Sequence, residues 1–289
     1  MNVWVAGARP RTLPAAVVPV LVGTAAAAGS RDGGLVWWRA GAAMVVAIAI
    51  QVATNYVNDY ADGERGTDDR RVGPVRLVAG GLATASQVKR AALVAGVVAV
   101  VAGLLLAVAV GPELLVVGAA SLAAGYLYTG GPRPYGYYGL GELFVFAFFG
   151  VVATAGSAYV QVEKVMLLAL AAAVPVGCLA TALLVVNNLR DIPTDAMAGK
   201  RTLAVRVGDG PTRVLYITLL AATFAALPVL ALRRPWALLA VLALPLAVAP
   251  VRRIAAGTAG GALVPVLGDT GRLQLVYGVL LAAGLGLSA

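Results

Sequence analysis

Apolar residues run along this chain in long blocks, separated by short polar segments rather than alternating with them. Nine blocks stand out, near 12–29, 36–57, 89–110, 112–129, 139–160, 165–187, 212–232, 235–251 and 272–288. About 20 apolar residues in helical form cross a hydrocarbon core of roughly 30 Å. The pattern therefore predicts an all-α integral membrane protein with about nine transmembrane helices. The eighth block is the least regular, because it contains Pro245 and ends at Pro250.

Composition agrees with the pattern. The 289 residues are 61% hydrophobic and only 12% charged, half the roughly 25% of a soluble domain, so a water-compatible surface cannot be covered. With the N-terminus in the cytoplasm, 17 of the 22 Lys and Arg fall on the inner side. Only Arg31, Arg39, Lys164, Arg233 and Arg234 fall outside. The positive-inside rule then fixes a cytoplasmic N-terminus and, after an odd number of spans, an extracytoplasmic C-terminus. The net charge of +9 reads as topology, since no basic stripe is interleaved with stacking aromatics as nucleic-acid binding requires.

Three further features narrow the chemistry. The start, "ARPRTLPAAVVPVLVGTAAAAGS", has the order of a signal peptide, but its apolar run is long and a multi-span chain needs no cleavable signal. Cys178 is the single cysteine and lies in an apolar span, where it acts as a small hydrophobe. The chain contains no histidine, which removes His-ligated haem, the usual zinc sites and a His general base.

The acids are concentrated at two block ends. "NDYADGERGTDD", residues 58–69, holds Asp59, Asp62, Glu64, Asp68 and Asp69, five of the thirteen acids in the chain. Asn58 and Asp62 are four apart and share a helical face, after which Gly63 is expected to let the chain turn out of the helix. The sixth block ends in "NNLRDIPTDAMAGKRT", with Asn187, Asp191 and Asp195 at i, i+4 and i+8. Pro193 is expected to push Ile192 from α geometry and place Asp195 on a bent or restarted turn. The two stretches are offset by 129 residues and form a weak internal repeat, both ending on the cytosolic face.

Asn and Asp at membrane helix ends are ordinarily solvated by headgroups. Here, however, carboxylates gather where the helix dipole is negative and cations are preferred, twice and with the same spacing. Carboxylate and amide oxygens suit magnesium, which completes its shell with water and substrate phosphates. Arg65, Arg70, Arg71 and Arg76 follow the first copy, and Arg190, Lys200, Arg201 and Arg206 surround the second. An acidic patch ringed by bases reads as a magnesium–diphosphate site at the membrane surface.

These segments resemble the paired aspartate motifs of the UbiA-type membrane prenyltransferases. Asn58, Asp59 and Asp62 match the first motif. Gly66 departs from its last position, and Asp68 two residues later gives the pattern N-D-x-x-D-G-x-x-G-x-D. That form is similar to the branch of 1,4-dihydroxy-2-naphthoate polyprenyltransferases of menaquinone synthesis. So are the ending Gly199, Lys200, Thr202 and Leu203, the stretch "YTGGPRPYGYYGLGELFVFAFFG" at 128–150, and "ARPRTLPAAVVPVLVGTA" at 8–25.

The resemblance implies one domain over residues 1–289, a helical bundle around a central cavity open to the cytosolic side, in a bacterial cell membrane. It implies Mg2+ held by Asn58, Asp62 and Asp68 on one wall and Asn187, Asp191 and Asp195 on the other, with Asp62, Asp68, Asp191 and Asp195 as catalytic acids. Asp59 would support them from behind. Arg190 and Lys200 would contact the diphosphate, with Arg65 and Arg133 as further candidates against the ordinary role of a cytosolic Arg in topology. The implied reaction joins polyprenyl diphosphate to 1,4-dihydroxy-2-naphthoate with loss of CO2 and diphosphate, giving demethylmenaquinone.

Tyr126, Tyr128, Tyr135, Tyr137 and Tyr138 cluster near the fourth loop, where aromatic faces stabilise a carbocation or form an interfacial belt. Two alternatives stay open. The acceptor could be another aromatic acid, such as 4-hydroxybenzoate or homogentisate. A secondary transporter of a phosphorylated anion would also use paired acidic sites, although such sites usually lie near the bilayer midplane.

Overall fold

The computed structural model describes residues 2–30, 34–67 and 76–289, and every regular element among them is helical. A short helix α1 (Val3–Ala8) precedes α2 (Pro14–Ala26), α3 (Trp37–Glu64), α4 (Ala85–Val110) and α5 (Glu113–Leu127). Next come α6 (Gly141–Val162), α7 (Leu167–Met197) and the five-residue α8 (Leu203–Val207). The chain ends with α9 (Asp209–Ala231), α10 (Pro235–Ala255) and α11 (Gly260–Leu287). A helix thus occupies each of the nine expected positions, and seven of them are long and apolar enough to cross a bilayer. The other two, α2 and α5, have 13 and 15 residues and rise only about 20 and 22 Å at 1.5 Å per residue.

Polar contacts at the helix ends fix the direction of each pass. At one pole the Val36 amide donates to Gln161 Oε1 at 2.8 Å, and Arg39 donates to the carbonyls of Val160 and Ala109 at 3.0 Å. Arg234 donates to Ala28 O at 2.8 Å, and the Trp236 amide to Ser288 Oγ at 3.1 Å, at that same pole. At the opposite pole Arg9 donates to Asn55 O at 3.3 Å and Arg213 to Ile254 O at 2.8 Å. Successive long helices therefore run antiparallel, and α3 and α7 end together.

The helix α7 is central. Over its most apolar stretch it is 78% buried, against 22% for α4, so α4 is the lipid-facing helix and α7 the one the others surround. Val176, Leu179 and Val186 of α7 pack in one cluster with Leu273, Tyr277 and Leu281 of α11. Where α6 meets α7, residues 146–152 wind as a π-helix. A Cβ at Gly150 would lie 2.6 Å from Gly177 Cα, so these two backbones touch only because both residues are glycine.

Three expectations are corrected. Helix α3 does not turn out at Gly63 but continues to Glu64, and the left-handed turn residue is Gly66 (φ 69°). Gly63 serves packing instead, since a Cβ there would lie 2.7 Å from Val78 Cγ1. Helix α7 runs unbroken through Pro193 to Met197, because a proline in the last turns removes only one backbone bond. Asp191 and Asp195 therefore share one helix. Helix α11 starts at Gly260 rather than at 272: Asp269 is met by Arg253 at 3.1 Å and Thr270 by the Tyr216 hydroxyl at 2.8 Å. Helix α10 starts with a 3₁₀ stretch, Pro235–Ala243, before α winding begins at Leu244. Pro245 then sits in the first turn, where its missing amide is tolerated.

Candidate active site

The helices enclose a cavity of about 960 Å³. Ala43, Ile50, Val117, Phe148 and Val152 line its apolar length, and its polar end is lined by Asn58, Asp59, Asn187 and Arg190 from the two acidic helix ends. Because α3 and α7 run the same way and stop at the same pole, their Asn-x-x-x-Asp faces come together there.

On α3, the buried Asp62 carboxylate accepts the Tyr137 hydroxyl at 2.8 Å and Lys200 Nζ at 3.3 Å. The Lys200 bond spans 138 residues of sequence and ties the tail of the second motif to the first. Asn58 Oδ1 accepts from Thr129 Oγ1 at 2.6 Å. Asp59, 1% exposed, accepts the Leu77 and Val78 amides at 3.0 Å each, so its carboxylate anchors the backbone at 77–78 to α3. On α7, Arg190 chelates Asp191 through two bonds of 2.7 Å and reaches Asn187 Oδ1 at 2.6 Å. Asp195 is buried one turn further, and its carbonyl accepts the Lys200 amide at 2.8 Å. Each acid-rich helix end thus carries the cation that its dipole leaves wanting.

Tyr137 joins the two sides. Its ring lies 5.4 Å from the Arg65 guanidinium and 5.1 Å from Lys200 Nζ, and its hydroxyl is within 3.0 Å of Thr67 Oγ1 as well as bonded to Asp62. Burial first, and the Asp62 carboxylate second, push this hydroxyl well above its ordinary value, so it is held as a neutral donor. Arg65 donates to the carbonyls of Thr129 and Gly131, holding the loop after α5 against the first motif.

The structure does not bring all expected residues together. Arg133 is exposed and donates no hydrogen bond among the described residues. Tyr126 and Tyr138 are exposed, whereas Tyr128 and Tyr135 line the cavity. Tyr135 stacks on Phe144 at 4.0 Å, and Phe144 on Phe148 at 6.0 Å, forming an aromatic wall. Asp68, Asp69, Arg70 and Arg71 lie outside the described residues. Arg9, Arg11 and Arg76 line the cavity. As sequence, Arg76 stood among the cations that follow the first motif, whereas Arg9 and Arg11 carried the signal of inner-side charge, so nothing in their spacing marked the two N-terminal arginines as cavity residues.

A multi-pass bundle whose apolar cavity opens on paired acid–amide helix ends and their cations is the build of a membrane enzyme for a polar-headed, apolar-tailed substrate. The chain belongs to the UbiA prenyltransferase family, which it matches over residues 16–262. It is 51% identical over 282 residues to the 1,4-dihydroxy-2-naphthoate octaprenyltransferase of Mycobacterium tuberculosis, covering 98% of this chain and 96% of that protein. It is 35% identical to the protein of the same name from Escherichia coli, over 99% of this chain and 95% of that one. Among solved structures, a UbiA homolog from Archaeoglobus fulgidus bound to GPP and Mg2+ superposes with a TM-score of 0.69. That match is at 15% identity and covers 97% of this chain and 99% of that one.

Proposed function

We propose that this protein transfers a polyprenyl group from polyprenyl diphosphate to 1,4-dihydroxy-2-naphthoate, releasing CO2 and diphosphate and giving demethylmenaquinone in its reduced form. We place the reaction on the cytosolic face of a bacterial cell membrane, in one domain over residues 1–289. The observation that carries this reading is the Lys200–Asp62 bond of 3.3 Å, which ties together two acidic helix ends whose Asn58 and Asn187 line one apolar cavity. The names and identities of the relatives, 51% and 35%, support dihydroxynaphthoate as the acceptor, and the Lys/Arg asymmetry supports the sidedness.

Asn58, Asp62, Asp68, Asn187, Asp191 and Asp195 would hold magnesium. The donor set fits, being oxygen throughout. Each helix end would supply one or two carboxylates, with substrate phosphates completing the shell. Bound there, the ion would neutralise diphosphate charge. Arg190 and Lys200, now bonded to Asp191 and Asp62, are the cations that would turn to the diphosphate, with Arg65 and Arg133 on the bordering segments.

As the allylic C–O bond breaks, negative charge grows on the leaving diphosphate, and Arg190 and Lys200 stabilise it more than the ground state. The apolar wall keeps water from the allylic cation, and the ring faces of Tyr128 and Tyr135 support its charge. The electron-rich ring carbon that bears the carboxylate forms the new C–C bond. CO2 then departs and its bonding pair restores the aromatic ring, so no general base is required.

An acceptor panel tests the reading. Detergent-purified protein is given a prenyl diphosphate with 1,4-dihydroxy-2-naphthoate, 4-hydroxybenzoate or homogentisate, with magnesium or with a chelator. Prenylated product is expected from the naphthoate alone and only with magnesium. Product from a different acid would overturn the acceptor. Diphosphate binding without turnover on any acid would favour the transporter.

A further inference from the structure

We propose that the linker between α1 and α2 carries a separate subsite for the carboxylate of the aromatic acid, with Arg9 and Arg11 as its cations. The proposal rests on the transferase reading above and assigns the acceptor half of its site. The cations of the second motif are engaged by motif acids: Arg190 chelates Asp191 and Lys200 bonds Asp62. Arg9 and Arg11 line the same cavity but pair with no carboxylate among the described residues. Arg9 donates to the Asn55 carbonyl at 3.3 Å, and Arg11, exposed beside the cavity it lines, donates no hydrogen bond among the described residues.

The linker is built rather than loose. Arg9 adopts a left-handed backbone conformation (φ 53°, ψ 70°), one of two such non-glycine residues among those described. Side chains rarely tolerate that geometry unless the surroundings enforce it. Here the Thr12 hydroxyl donates to Arg9 O at 3.0 Å, and accepts Gln51 Nε2 at 3.0 Å and Asn55 Nδ2 at 3.1 Å. Asn55 also donates to Ala8 O at 2.9 Å. The polar face of α3 therefore continues inward past its motif, and its extra amides are used to fix the backbone that presents Arg9.

Asn55 lies three residues before Asn58 on α3, a rise of about 4.5 Å. A carboxylate held by Arg9 would sit beside the diphosphate site and one turn deeper, leaving the ring between the two. Guanidinium forks match carboxylates in shape as well as charge. Because the carboxylate leaves as neutral CO2, this ion pair belongs to the bound substrate and is expected in KM more than in kcat.

The test compares 1,4-dihydroxy-2-naphthoate with 1,4-dihydroxynaphthalene, the same ring without its carboxylate, using full-length protein in detergent. For Arg9→Gln and Arg11→Gln, KM for the acid is expected to rise about tenfold or more, with KM for the prenyl diphosphate unchanged. The preference for the acid over the bare ring should collapse in step. Arg9→Lys keeps the charge and should recover part of that preference, which separates lost charge from a disturbed linker; Arg11, being exposed, can be replaced without loss of fold. A raised KM for the prenyl diphosphate with acid preference intact would overturn the proposal, as would two unchanged KM values. Failure of the wild type to prenylate the acid would instead overturn the transferase reading, and this subsite with it.

Discussion

Asp62 takes its two donors from separate parts of the chain, Tyr137 from the loop after α5 and Lys200 from beyond α7. Tyr137→Phe removes one donor while leaving a ring between Arg65 and Lys200, so kcat/KM is expected to fall about tenfold, with little change in the thermal midpoint. The Tyr137 pKa is raised in the fold above its unfolded value of about 10. Its contribution to stability is therefore complete below pH 10 and is lost as pH rises past that. Thermal midpoints of the wild type should decline more steeply above pH 10 than those of Tyr137→Phe. Asp59 has a different role, and Asp59→Ala leaves the buried Leu77 amide and the half-buried Val78 amide without their acceptor, a cost of about 1–3 kcal/mol for the first and less for the second, read as a lowered thermal midpoint. That role was not legible in the sequence, because it depends on where residues 77 and 78 fold back. The motif residues Asn58 and Asp62, and Asn187, Asp191 and Asp195, were legible because spacing alone puts each set on one helical face.

At the scale of elements, hydrophobic blocks located a helix at each of nine positions, seven of them long enough to span, since length and apolarity are local properties. Their ends were harder to place. Gly63 and Pro193 both read as helix breakers. The first is held in α3 by its packing on Val78 and the second sits in the last turns of α7. The polar start of α11 was missed because Asp269 and Thr270 are satisfied by Arg253 and Tyr216, partners remote in sequence. The contact of α6 with α7 at Gly150 and Gly177 gives an element-level prediction. Gly150→Val inserts a side chain where a Cβ would already lie 2.6 Å from backbone, and should destabilise the bundle by about 1–3 kcal/mol, measured as loss of folded protein on heating in detergent.

The whole molecule is organised by direction. Antiparallel passes bring α3 and α7 to one pole, where the cavity of about 960 Å³ meets both acidic ends. No local pattern announces that cavity, because it is what remains after all the helices have packed against one another. The N-terminal arginines of its wall read only as topology for the same reason. Sidedness can be checked directly with Cys178 buried in α7. Arg201→Cys at the motif pole should react with a membrane-impermeant thiol reagent only after cells are opened, and Lys164→Cys at the other pole in intact cells. The measurement that goes to the centre of the account is turnover of 1,4-dihydroxy-2-naphthoate and a prenyl diphosphate by wild type, Asp62→Asn and Asp191→Asn, with magnesium and with a chelator. The account predicts prenylated product and CO2 from the wild type only with magnesium, and a loss of about a hundredfold or more in each variant. Full turnover in either variant, or turnover indifferent to the chelator, would contradict a single magnesium–diphosphate site formed by both helix ends.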